Sequence, residues 1–74
     1  MAIEKFRRVI WRLEEIKPNS KDIDLKELRK AIMHEIGTDG RTIVLSISRM
    51  IELGYLKRHS RWAFTVLINS HDLN

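Results

Sequence analysis

What most constrains this chain is a change in the period of its apolar residues. Three stretches repeat at three and four residues, and the last one is extended. Ile3, Phe6, Ile10 and Leu13 form the first stripe, with Val9 and Ile16 flanking it. That spacing is one face of an amphipathic helix. It predicts a helix from about Ile3 to Lys17, closed by Pro18 and the turn former Asn19. Its other face, with Arg7, Arg8, Arg12, Glu14 and Glu15, is expected in solvent. Residues Ser20 to Asp24 are too few for a full element, although Ile23 can pair as a minimal strand residue. Asp24 with Glu27 three positions on predicts a capping box and the start of a second helix. Leu25, Leu28, Ile32 and Ile36 form the second stripe, and Gly37 suits a left-handed residue after the helix end. Thr38 or Asp39 can accept from the free N–H groups that open a third helix. There Ile43, Ile47, Met50 and Ile51 share a face, and Gly54 closes it.

Beyond Gly54 the pattern is extended. Tyr55 to His59, then Ser60-Arg61, then Trp62 to Ile68 read as two strands joined by a short polar turn. Trp62, Phe64 and Val66 fall on one side of the second run. Residues Asn69 to Asn74 are polar and expected to fray. The expected fold class is therefore α+β: three helices, a minimal first strand and a C-terminal two-stranded β-hairpin, all in a single domain over residues 1–74.

Such a chain has room for one small core only. It contains no cysteine, which removes disulfides and thiolate metal sites. Its apolar runs are a few residues long, far short of the roughly 20 needed to span a bilayer. Met1-Ala2-Ile3-Glu4 lacks the apolar stretch of a secretory signal, so an intracellular site, cytoplasm or nucleoid, is expected. The net charge of +4 is concentrated. Between Gly40 and Trp62 stand Arg41, Arg49, Lys57, Arg58 and Arg61 against Glu52 alone, whereas the rest of the chain carries nine bases and nine acids. A positive surplus on one segment is the electrostatic footprint of a phosphate-binding surface.

Two stretches carry a family resemblance. Gly37-Thr38-Asp39-Gly40-Arg41-Thr42-Ile43 is a Gly-containing turn leading into a polar helix start. Met50-Ile51-Glu52-Leu53-Gly54-Tyr55-Leu56 passes from a helix into a strand. In the order helix, short strand, helix, turn, helix, hairpin, the chain resembles the winged helix-turn-helix family over nearly its whole length. Similar wording occurs in small transcription regulators, including those of archaeal plasmids and viruses. The resemblance implies a double-stranded DNA-binding protein, with helix 39–53 in the major groove and the wing 57–61 on the backbone or in the minor groove. It further implies sequence-specific transcription regulation.

Residue chemistry agrees with that implication. With the apolar face of the third helix inward, Arg41, Thr42, Leu45, Ser48 and Arg49 point outward. Arginine can fork onto guanine, hydroxyls can meet base or phosphate, and Leu45 can touch a thymine methyl. The plain alternative for Leu45 is packing at the edge of the fold, and for the arginines a solvated surface. Lys57, Arg58, His59, Ser60 and Arg61 form the candidate wing contacts; such a charge run also protects an edge strand. Phosphate contacts of this kind supply affinity more than sequence preference. The start of the second helix adds Ser20, Lys21 and Lys26 as candidate backbone contacts, beside N–H groups able to hold an anion.

Trp11 lies off the first stripe and reads either as a half-buried cover for the hairpin or as a dimer contact. Trp62 reads as hairpin packing ahead of base stacking. Leu67 and Ile68 would add to a dimer surface. The candidate routes to a homodimer are therefore the Trp11 face and the C-terminal strand, matching two-fold half-sites. His34, His59 and His71 are too scattered for a zinc site, and no Gly-rich phosphate loop is present. Glu14 and Glu15 are adjacent on a helix and diverge. No catalytic residue, cofactor, metal or small-molecule ligand is expected. Two other uses of such a fold are a protein-interaction adaptor, with Leu45, Trp11 and Trp62 as contacts, and a DNA-organising protein without sequence preference. RNA comes behind duplex DNA, because the expected groove face has no aromatic platform.

Overall fold

The computed structural model describes residues 2–72, with side chains from Glu4 onward. The expected Ile3 member of the first stripe, as a side chain, and Leu73 and Asn74 of the expected tail lie outside the described residues. The elements in chain order are α1 (Ala2–Ile16), β1 (Asp22–Asp24), α2 (Leu25–Glu35), α3 (Gly40–Glu52), β2 (Leu56–Arg58) and β3 (Ala63–Val66), followed by a 3-10 turn (Ser70–Asp72). This is a small α+β domain whose described residues form three α-helices and one antiparallel three-stranded sheet in the order β1-β3-β2.

Each helix forms for the reason its spacing gives. Phe6, Val9, Ile10 and Leu13 are buried on α1; Leu28, Ala31 and Ile32 on α2; Ile43, Ile47 and Met50 on α3. They meet Ile23 of β1, Tyr55, Leu56, Phe64 and Val66 in one core. Leu25, Ile36 and Ile51, expected on the apolar faces, pack at its margin. The capping box is present. Asp24 Oδ1 accepts from Glu27 N at 2.7 Å, and Glu27 Oε1 accepts from Asp24 N at 2.9 Å. Asp39 caps α3, accepting from Thr42 N at 3.2 Å. At the other end Gly54 takes φ +81°. Tyr55 N donates to Met50 O and Gly54 N to Ile51 O, the paired bonds of a Schellman ending.

Several expectations require correction. Gly37 is not left-handed, since Gly54 is the only described residue with positive φ. The end of α2 instead closes through Ile36 in the right-handed region and a Gly37 N–H bond to Ile32 O at 3.2 Å. The outer face of α1 is not uniformly solvated. Arg12 crosses to Glu35 of α2, with Nη2 at 2.6 Å and Nε at 2.7 Å from one carboxylate oxygen. The chain after β3 is not frayed through Asp72. Ser70 is buried, and its N–H and hydroxyl donate to the two carboxylate oxygens of Glu14 at 2.9 and 2.7 Å. A partly buried acceptor on α1 thus pins the polar segment.

The tryptophans do not pack on the hairpin as one reading of them expected. Trp11 is 50% exposed and borders a cleft with Arg7, Arg8 and His71, on the side of the 3-10 turn rather than the hairpin. Trp62 is 61% exposed. The strand begins only at Ala63, because Ser60 Oγ accepts from both Trp62 N and Ala63 N and holds Trp62 in the turn. Finally, β3 is the central strand, paired on both edges. Both of its edges are therefore occupied, and no further strand can add along it.

Candidate nucleic-acid interface

The site begins with the cap of α3. Asp39 fixes where the helix opens, and the buried set Ile43, Ser46, Ile47 and Met50 fixes its rotation. At 3.6 residues per turn, that rotation turns Arg41, Val44, Leu45, Ser48, Arg49 and Glu52 outward, and all six are exposed. Thr42 departs from this set. It is half-buried, and its hydroxyl lies 3.4 Å from the Asp39 carboxylate, so it serves the cap. Arg49 Nη1 stands 3.9 Å from Glu52, both in the open, where such a pair contributes little and leaves the arginine free to exchange partners.

The hairpin bases divide by strand alternation. Leu56 and Phe64 face the core, and Arg58, the register partner of Phe64, lies on the same face of the sheet but exposed at its edge. The Arg58 guanidinium lies 5.6 Å from the Phe64 ring centroid and its Nε donates to Ser60 O at 3.2 Å. Those contacts hold it on the α3 side of the sheet. Lys57 faces the other way, in one row with Thr65 and Asp22. His59 joins that outer face: its Nε2 is 2.6 Å from Thr65 Oγ1, which donates to Asp22 at 2.8 Å. Arg61 sits in the turn with its guanidinium 5.9 Å from the Trp62 ring. The five hairpin candidates therefore do not form one surface. Arg58 faces α3, Arg61 stays at the tip with the backbone of Ser60, and Lys57 and His59 lie on the outer face.

Between α3 and the hairpin runs a cleft of about 460 Å³. Val44, Ser48 and Ile51 line one wall and Arg58 and Phe64 the other, with Arg29 of α2 completing it. Among the described residues no carboxylate borders this cleft. Four other clefts each carry one: Glu35 beside Trp11, Glu14 beside Lys21, Glu27 beside Lys26, and Glu52 beside Leu45 and Arg49 on the exposed face of α3 itself. Two guanidiniums over an apolar wall, with no acid to neutralise them, suit a polyanion whose edges include apolar groups.

Two members of this site escaped the sequence reading. Val44 is 63% exposed. Its signal was available, since it follows the buried Ile43 by about 100° of helix rotation. Arg29 had no comparable signal, because which flank of α2 meets the hairpin is decided by packing.

Ser20, Lys21 and Lys26 do not join the surface. Ser20 Oγ accepts from Asp22 N at 3.1 Å, and Lys21 Nζ donates to the Asn69 side chain. Lys26 borders the groove of α1 and α2 with Ile16 and Lys30. The start of α2 is occupied by the carboxylates of Asp24 and Glu27, while Leu25 N donates to Trp62 O at 2.7 Å. An anion there would meet two like charges.

Among the described residues no group of three or more His, Asp or Glu is placed to hold a metal ion, and no helix is long and apolar enough to cross a membrane. Comparison with family models, curated proteins and solved structures returned no match.

Proposed function

We propose that this chain is a winged helix-turn-helix protein that binds double-stranded DNA, with α3 in the major groove and the turn between β2 and β3 as a short wing on the backbone. The observation that carries the reading is the acid-free cleft in which Arg29 and Arg58 face the exposed flank of α3. A helix about 10–12 Å across with its side chains fits a major groove about 12 Å wide. Arg41, Leu45, Ser48 and Arg49 would meet base edges, while Arg29, Arg58 and Arg61, all on the hairpin side of α3, would meet phosphates on that side. Strand pairing ends at Arg58 and Phe64, so this wing is short and suited to backbone contact more than to deep minor-groove insertion. The biological role we assign is a sequence-specific transcription regulator.

The test is a titration of the protein against duplex DNA, single-stranded DNA and duplex RNA at several salt concentrations. Preference for duplex DNA, with affinity falling steeply as salt rises, supports the reading. Preference for single strands would transfer the role to Trp62 and Arg61, an exposed ring with a guanidinium over it. An adaptor role has one observation in its favour, the exposed aliphatic pair Val44 and Leu45. No duplex binding at low salt would favour the adaptor, whereas binding that is lost on charge reversal at Arg41 and Arg49 supports the DNA reading.

A further inference from the structure

Two consecutive aliphatic side chains stand in the open on α3, Val44 at 63% and Leu45 at 60% exposed. Isolated exposed apolar residues are ordinary on a protein surface. These two are adjacent, sit at the centre of the exposed face, and have Arg41 and Arg49 about one turn to either side. Helix formation does not require them, since β-branched valine is among the poorer helix formers. Consecutive helical positions diverge by about 100°, and the surroundings show it. Val44 borders the cleft shared with Arg58 and Phe64, while Leu45 borders a second one on the side of Phe6. Ser48 borders both and so marks the midline between them.

Resting on the duplex-DNA reading, a helix centred on that midline would carry one aliphatic side chain toward each wall of the major groove. The apolar group a base pair offers there is the C5-methyl of thymine. We infer that Val44 and Leu45 read thymine methyl groups, one on each strand, so that the preferred duplex carries A·T pairs beneath the centre of α3. Neither side chain can donate or accept a hydrogen bond, and placing either against a cytosine or adenine amino group would leave that group unpaired. The pair therefore selects by attraction at thymine and by desolvation elsewhere.

The experiment selects binders from a random duplex library, then remakes the best with deoxyuridine replacing thymidine. This swap removes only the methyl groups. Burying one methyl corresponds to about four-fold in affinity, so losing both contacts lowers it about fifteen-fold. In V44S/L45S, whose substitutions lie on the exposed face, the thymidine and deoxyuridine duplexes should bind alike. Wild-type binding within about two-fold for the two duplexes overturns the inference while leaving DNA binding in place, and assigns the pair to a protein contact. Selected sequences with G·C pairs at the centre overturn it equally. Failure to retain any duplex overturns both this inference and the function it rests on.

Discussion

Replacing Glu14 by alanine should cost this domain much of its stability, although Glu14 lies on the charged side of α1. Its carboxylate accepts the Ser70 N–H at 2.9 Å and the Ser70 hydroxyl at 2.7 Å. Ser70 is only 9% exposed, so water replaces these bonds poorly. A hydrogen bond to a charged acceptor is worth about 1.5–3 kcal/mol net, and a stranded buried donor costs about 1–3 kcal/mol. Because both bonds end on one partly exposed carboxylate they do not simply add, and we take about 2–3 kcal/mol for the loss. A domain of this length has roughly 4–11 kcal/mol in total. At about 4–8 °C per kcal/mol, the melting point should fall by roughly 10–20 °C. The assay is thermal unfolding by far-ultraviolet circular dichroism on wild type, E14A, S70A and the double variant. S70A keeps the backbone N–H bond and should lose about 1 kcal/mol. The double variant should lose less than the sum of the singles. An E14A protein melting within about 2 °C of wild type, or strictly additive losses, would refute the reasoning.

Gly54→Ala should lower stability by about 1 kcal/mol, read in the same melts, because φ of +81° strains any residue with a Cβ. R58A/R61A should reduce the slope of log affinity against log salt by about 1.8, two phosphate contacts at roughly 0.9 each; an unchanged slope would remove both from the interface. K21A/K26A should leave affinity and slope unchanged within error, since both side chains lie in clefts away from α3.

The helices were legible because their apolar stripes are clean, and most of their ends, the close of α2 at Gly37 excepted, because capping is local chemistry. Asp24 with Glu27, Asp39 and Gly54 all act within a few residues of themselves. Ile23 was legible as a one-residue strand, yet its partners were not: pairing with Phe64 depends on a contact 41 positions away. Long-range polar pairing was the main omission. Arg12–Glu35 and Glu14–Ser70 look like solvated surface in sequence, because nothing local marks a residue whose partner arrives from another element. Period-2 alternation places Trp62 in the strand, but the side-chain bonds of Ser60 keep it in the turn, a contact that alternation does not encode. In the candidate site, α3 was readable by rotation from Ile43 and Met50. The hairpin was readable only as a run of bases. Alternation sends Lys57 and Arg58 to opposite faces, and packing alone brings Arg29 to Arg58.

The most direct test of the central claim is an amide and side-chain NMR titration of the labelled protein with duplex DNA. Shift changes should concentrate on Gly40 to Arg49, on the Arg29 and Arg58 side chains, and on the turn from Ser60 to Trp62, leaving Trp11 and Ser70 still. Changes centred on Trp11, Arg7 and His71 instead, or none at saturating duplex, would contradict the assignment of α3 as the DNA-binding helix.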